Sequence, residues 1–167
     1  VSQLRRLVGA PSLVTRAPGY ALEVEPASVD SVRFEQLLAE AQAARSVQDH
    51  ATTAIALREA LALWRGPALV DVRDESWAQH ASRHLEEERL NVLEDRIAAD
   101  LTEGGGAELV SELERLVREH ALRERLQGQL MWALYRAGRQ ADALEAYQRA
   151  RRTLMDELGL EPSPRLQ

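Results

Sequence analysis

The sequence predicts a mainly α-helical chain: a superhelix of about three stacked helix hairpins, preceded by a short helix and a β-hairpin. Three observations carry that expectation. From residue 28 onward, apolar residues recur at i, i+3, i+4 and i+7 in blocks separated by Gly or Pro, the pattern of amphipathic helices. Within those blocks one arrangement repeats. Ala143, Tyr147 and Ala150 follow Gly138 at +5, +9 and +12; Leu109, Leu113 and Leu116 follow Gly104 at the same offsets, and Thr53, Leu57 and Ala60 follow Gln48. The step from 104 to 138 is 34 residues, the tetratricopeptide period, and the step from 48 to 104 is longer by 22, most of them in the connector 66–76 and the helix after it. Finally, "LVTRAPGYALEV" reads as two short strands around a Pro-Gly turn.

Each element has its own signals. "VSQLRRLVG" is a short helix stopped by Gly9, with Val1, Leu4 and Val8 as one stripe, Ser2, Gln3 and Arg6 on the opposite side and Arg5 on the flank. Residues 13–16 and 20–24 favour strands. Ala17-Pro18-Gly19-Tyr20 suits a type II turn, with Gly19 supplying positive φ, and Tyr20, Leu22 and Val24 share a face. Ser28 or Asp30 is placed to cap a helix to about Val47, whose apolar face is Phe34, Leu37, Leu38, Ala41 and Ala44. Asp49 precedes a second helix that Gly66-Pro67 stops. Asp74 or Ser76 starts a long helix ended by the glycines at 104–106. "AELVSELERLVREH" follows, then two helices closed by Gly138 and Gly159, with Pro162 and Pro164 marking the exit. The hairpin units are thus 28–65, 75–119 and 122–158, in a right-handed array.

Charge is uneven. The chain of 167 residues carries a net −6, with 45% apolar residues, enough for a real core. Residues 1–22 hold Arg5, Arg6 and Arg16 and no acid, +3; the remainder carries −9. An acidic body is repelled by nucleic acid and a basic start is attracted. All 21 basic residues are Arg, which reads as GC-rich codon usage rather than chemistry. There is no cysteine, so disulfides, thiolate metal sites and Cys nucleophiles are excluded. No apolar run is long enough to span a bilayer and no secretory signal pattern is visible, so a soluble, cytoplasmic protein is expected. The first residue is Val, and the chain is expected to begin inside a longer protein.

Catalytic signatures are missing. His80 and His84 lie at i and i+4 without an evident third ligand and read as rim histidines, not a metal site. The glycines at 104–106 lack the Lys-Ser/Thr of a phosphate loop, and Glu86, Glu87 and Glu88 read as a solvated face. Trp64 and Trp132 fall at apolar helical positions and read as core; Trp77, after the connector, reads as partly exposed. No enzyme activity, cofactor or metal is expected.

The wording of the segments is more specific than their period. "SQLRRLVG" and "LVTRAPGYALEV" resemble the recognition helix and wing of response-regulator-type winged helices, the "RRL" and the "PGY" carrying the match. "LWRG", "RERLQGQLMWALYRAGRQADALEAYQRA" and "ELGLEPSP" resemble the bacterial transcriptional activation domain that follows the winged helix in the Streptomyces antibiotic regulatory protein (SARP) family. One departure is Ala121, where the family usually has Pro. The resemblance implies a boundary near residue 25, with residues 1–25 the end of a winged-helix DNA-binding domain and 26–167 a tetratricopeptide-like activation domain. It implies that Gln3, Arg5 and Arg6 face the major groove or phosphates and that Arg16 sits on the wing. It further implies a transcriptional activator of antibiotic biosynthesis genes, with promoter DNA and RNA polymerase as partners, a homodimer as a further option and no membrane contact. Arg58, Glu59, Arg136 and Arg139 are the candidate polar rim of a partner groove. The alternative is a repeat-type adaptor or oligomerisation module with no DNA role, its hairpin a structural cap.

Overall fold

A computed structural model describes residues 2–9 and 12–167; of Ser2, Leu4 and Arg5 it describes the backbone alone, and Val1 of the expected apolar stripe lies outside the described residues. The front segment is a helix α1 (Ser2–Val8) and a hairpin of β1 (Leu13–Arg16) and β2 (Gly19–Leu22). The body follows a one-turn 3-10 helix (Pro26–Ser28) and comprises α2 (Asp30–Ser46), α3 (His50–Ala62), α4 (Ser76–Thr102), α5 (Ala107–Glu119), α6 (Glu124–Arg136) and α7 (Gln140–Leu158).

The hairpin turn differs from expectation. Leu13 pairs with Leu22 and Arg16 with Gly19, so the turn spans 16–19 rather than 17–20. Pro18 then occupies the second central position, which proline takes with a cis peptide bond, and the Ala17–Pro18 bond is cis. Gly19 is a strand residue and supplies no positive φ.

Two expected caps are also corrected. Val29 is the N-cap of α2; Ser28 Oγ instead donates back to the Glu25 carbonyl at 2.7 Å, and the Asp30 carboxylate, already inside the helix, accepts from Ser31 N at 2.9 Å. Glu75 is the N-cap of α4 and makes no side-chain cap bond. Asp49 does cap α3, accepting from Thr52 N at 2.9 Å. Helix α3 ends at Ala62, before Gly66-Pro67, because Leu63 and Trp64 turn inward to pack beside Leu61 on the α2–α3 core.

The repeat is a structural repeat. Its three turn residues are all left-handed, Gln48 at φ 60°, Gly104 at 114° and Gly138 at 76°. Each is followed by a residue whose N–H donates five residues back: Asp49 to Ala44 at 3.0 Å, Gly105 to Asp100 at 2.9 Å, Arg139 to Leu134 at 2.9 Å. That is the Schellman closure of a helix C-terminus. Of the residues at the three offsets, Tyr147 is half-buried and the other eight are buried. Ala143 is one of these, and Ala143→Leu is expected to overpack the α6–α7 contact and cost ~1–3 kcal/mol in a thermal melt. Gln48 is the one non-glycine at a repeat turn, with an exposed side chain. Left-handed backbone is costly for a residue with a Cβ, so Gln48→Gly should stabilise the chain by about 0.5–1 kcal/mol despite the extra entropy glycine carries when unfolded. A melt unchanged or lowered by the substitution would contradict this.

Neighbouring helices pack in sequence, α2 on α3, α3 on α4, α5 on α6 and α6 on α7, with α4 also reaching α6. The expected second hairpin, 75–119, departs from that order. Helix α5 lies against α6 and meets α4 through side chains, among them the Arg96–Glu112 ion pair. The connector explains it: a Cβ on Gly106 would stand 3.3 Å from Arg136 Cβ, so the start of α5 is pinned against α6. Three hydrophobic clusters result among the described residues. One joins Phe34, Leu37, Leu57 and Ala60 to Val92 of α4; the largest joins Ile97 and Leu101 of α4 to Leu109, Leu113, Leu126, Leu130 and their neighbours on α5–α7; a small third joins Ala150 and Leu154 of α7 to Leu166 of the tail. Left-handed Gly159, at φ 67°, closes α7, and the tail beyond it folds back: Pro162 and Leu166 are buried, and Ser163 N donates to Glu124 Oε2 at 2.8 Å.

Trp132 is 47% exposed, not core. The buried stripe of α6 is Leu126, Leu130, Ala133 and Leu134, and position 132 faces away from it. Trp64 is half-buried, edge-on to Phe34 with Arg89 over its ring at 5.2 Å, and Trp77 is exposed. No described helix is long and apolar enough to cross a membrane.

Candidate interaction surfaces

The front segment presents polar groups suited to nucleic acid. Gln3 and Arg6 are exposed on α1, and Arg16 is exposed at the end of β1 beside the turn. The Arg5 side chain lies outside what is described. Arg16 Nη2 pairs with Glu23 Oε1 at 2.6 Å, an exposed pair that water or a phosphate can exchange at little cost. Guanidinium groups bind phosphates or guanine edges, and an amide reads adenine. On the same segment Leu7 (83% exposed), Val8, Tyr20 and Leu22 are exposed apolar side chains.

The four expected rim residues of the body do not form one cluster. Arg58 on α3 ion-pairs with Asp100, and Arg136 Nη1 donates to the Leu101 carbonyl at 2.5 Å, so both close on the C-terminal end of α4. Glu59 points to α2, where Arg33 lies 3.6 Å away, and Arg139, the N-cap of α7, pairs with Asp142 at 2.5 Å and reaches Glu114 of α5 at 4.0 Å. A buried arginine that shares Asp100 with Arg58 escaped the sequence reading. Arg96 is 8% exposed; its Nη1 donates to Asp100 Oδ2 at 3.1 Å and its Nη2 to Glu112. The chain Arg58–Asp100–Arg96–Glu112 therefore crosses from α3 through α4 to α5. Its one sequence signal is the i, i+4 Arg-Asp pair inside the apolar run "RIAADL".

A second ladder ties α2, α4 and α6. Arg45 donates to Asp95 at 3.1 Å, and Arg125 also binds Asp95. Glu94, 2% exposed, stands 3.5 Å from Arg125 and 3.7 Å from Arg123, and its Oε1 accepts no hydrogen bond. Burial raises the Glu94 pKa, against the pull of Arg123 and Arg125. Burial also pushes Asp95 upward, but hydrogen bonds from Arg125 and Arg45 outweigh it and hold the pKa low. The two neighbours therefore titrate with opposite consequences. Asp95 adds stability above the unfolded carboxylate range, lost as pH falls through its folded value. Glu94 in the folded chain keeps a proton that the unfolded chain has released, so stability falls as pH rises through that window. Glu94→Gln is expected to raise the melting temperature at pH ~7 and leave it nearly unchanged at pH ~4; an equal drop at both would show that the carboxylate holds the two arginines.

Comparison with known proteins bears on these surfaces. The family model described as bacterial transcriptional activator domain matches residues 29–167. Regulatory protein AfsR of Streptomyces griseus is 43% identical over 165 residues, 99% of this chain and 17% of that protein. Transcriptional regulator RedD of Streptomyces coelicolor is 46% identical over 145 residues, 86% of this chain and 41% of that protein. The solved structure of Mycobacterium tuberculosis EmbR, in complex with a low affinity phosphopeptide, superimposes with a TM-score of 0.86 at 34% identity, over 99% of this chain and 45% of that one. The chain thus spans less than half the length of each of these three.

Proposed function

The chain belongs to the bacterial transcriptional activator domain family, and from that premise we propose that it is the body, with the end of the DNA-reading domain, of a transcriptional activator of antibiotic biosynthesis genes. Residues 1–25 close the DNA reader and 26–167 form the partner-facing domain. The observation that carries this reading is one of order: a helix exposing Gln3 and Arg6 and a hairpin exposing Arg16 run directly into the helical array that the family model matches. The relatives are regulators by name, not enzymes.

Gln3, Arg5 and Arg6 contact bases or phosphates in the major groove, and Arg16 leaves Glu23 for a phosphate. The uncovered Leu7, Val8 and Leu22 pack on the earlier part of the winged helix. The body, residues 26–167 with 18 Arg and 25 acids and so −7, is repelled by the duplex and stands off it, free to recruit RNA polymerase. Of the four rim candidates, Glu59 and Arg139 suit a test of recruitment, since their cross-helix pairs to Arg33 and Glu114 are long and exposed, whereas Arg58 and Arg136 hold the end of α4. Loss of polymerase pull-down in a Glu59→Ala/Arg139→Ala variant supports the rim, and undiminished pull-down removes it.

Fluorescence anisotropy with a labelled direct-repeat duplex tests the DNA half. The longer protein carrying a complete winged helix should bind tightly, and each of Arg5, Arg6 or Arg16 that meets a phosphate should contribute about one unit of salt slope, lost on mutation to Ala. The chain alone should bind feebly and without sequence preference, because its recognition helix is not held on all sides. Tight, selective binding by the chain alone would overturn the account of the front segment. Absence of binding by the longer protein would overturn the activator reading.

A further inference from the structure

A groove of about 560 Å³ lies between α3 and α5, over the C-terminal end of α4. Its apolar side is Ala51 and Ile55 of α3 with Leu109 of α5. Ile55 is 54% exposed there, although Leu57, two residues on, is 4% exposed in the core. The floor is open at Gly104, where an added Cβ would meet nothing within 4 Å. The other side is acidic. Asp100 is neutralised by Arg58 and Arg96, but Glu103 and Glu108 are exposed and form no ion pair among the described residues. The end of α4 adds the negative pole of a 27-residue helix.

This combination rejects anions and offers no metal cage, since no group of three or more His, Cys, Asp or Glu side chains able to hold a metal occurs among the described residues. It fits one chemistry: a positive side chain beside an apolar one. We infer that the groove docks a cationic, apolar-anchored segment of a protein partner, with an Arg or Lys between Glu103 and Glu108 and the adjacent aliphatic or aromatic side chain on Ile55. Burying Ile55 supplies the apolar anchor, and the two free carboxylates set orientation and association rate. The inference rests on the reading that the helical body meets protein partners, but it requires neither DNA nor polymerase.

The probe is a short fluorescein-labelled peptide alternating Arg with Leu, compared with Arg-Ser and Glu-Leu peptides of equal length and titrated with the full chain at low and physiological salt. The Arg-Leu peptide should bind best. Glu103→Gln/Glu108→Gln should weaken it about three- to tenfold, and Ile55→Ser should abolish its advantage over Arg-Ser. Glu35→Gln/Glu157→Gln removes the same charge from exposed, unpaired positions on α2 and α7 and should change binding by less than about twofold. Equal weakening by the two double variants would overturn the proposal, because the peptide would then be sensing net charge. A salt-sensitive dimer in sedimentation that Glu103→Gln/Glu108→Gln abolishes would overturn it in favour of a second copy of this chain. Peptide binding as expected beside failed polymerase pull-down would remove the polymerase assignment alone.

Discussion

Arg96→Ala should destabilise the chain by about 3–5 kcal/mol in urea denaturation, whereas Arg58→Ala, one ion pair along the same network, should cost about 1 kcal/mol or less. Both arginines bind Asp100, and what separates them is water. The Arg58 side chain is 55% exposed, so its pairing exchanges one solvated state for another. Arg96 is 8% exposed and is held by two carboxylates from opposite sides, Asp100 on its own helix and Glu112 on α5. Truncating it leaves Asp100, itself 8% exposed, with a single partner, and Glu112 with none. Asp100 stays desolvated with half of its compensation gone, and Glu112, its side chain only 31% exposed, loses its one ion-pair partner, which is the expensive state. A cycle with Glu112→Gln should recover part of the cost, since it removes the orphaned charge. If Arg96→Ala cost no more than Arg58→Ala, the buried network would be a passive feature of the α4–α5 junction.

That network also marks the limit of what the sequence discloses. Periodicity shows which residues share a helix face, so Leu109, Leu113 and Leu116 or Thr53, Leu57 and Ala60 are legible as core. Gly104 and Gly138 are legible as turns because glycine advertises positive φ. Gln48 adopts the same turn without that signal, and its repeat looks degenerate until the three Schellman closures are compared. Residue type misleads where phase decides. Trp132 is apolar, but Leu126, Leu130, Ala133 and Leu134 fix the buried stripe and leave it outside. Pro18-Gly19 has the letters of one turn and the strand register of another. Arg58, Asp100, Arg96 and Glu112 meet only because three helices converge, and no local pattern contains that information. The groove is hidden for the same reason: Ile55, Glu103 and Glu108 belong to two helices and a helix stop. In the front segment Gln3, Arg6 and Arg16 were legible as polar types on exposed faces, because an Arg-bearing helix followed by an Arg-bearing hairpin is a local arrangement.

Leu113→Ala should cost about 3–5 kcal/mol and should lower a single unfolding transition for the whole helical body. Leu113 is fully buried, in the middle of the largest core, with Leu109 and Leu116 on its own helix and Leu126, Leu130 and Leu134 opposite. Removing its isopropyl group loses the transfer energy of those buried carbons and leaves a cavity that helices on both sides are too constrained to fill. The single transition is the sharper claim. Stacked repeats interact mainly with nearest neighbours and can unravel in pieces. Here α4 works against that, since its 27 residues supply Val92 to the core of α2 and α3 and Ile97 and Leu101 to the core of α5–α7. Two ionic ladders cross the same helix, Arg45–Asp95–Arg125 on one side and Arg58–Asp100–Arg96–Glu112 on the other. Unfolding either core therefore strips one face of α4 and exposes carboxylates whose partners belong to the other. Leu57→Ala, in the core of α2 and α3, should shift the same transition by a similar mechanism. The measurement is hydrogen exchange together with a melt followed at two wavelengths. Amides of α2 and α6 should lose protection in parallel in either variant. A Leu113→Ala chain in which α2 and α3 keep wild-type protection while α5–α7 open would show that the cores are independent and that α4 does not couple them.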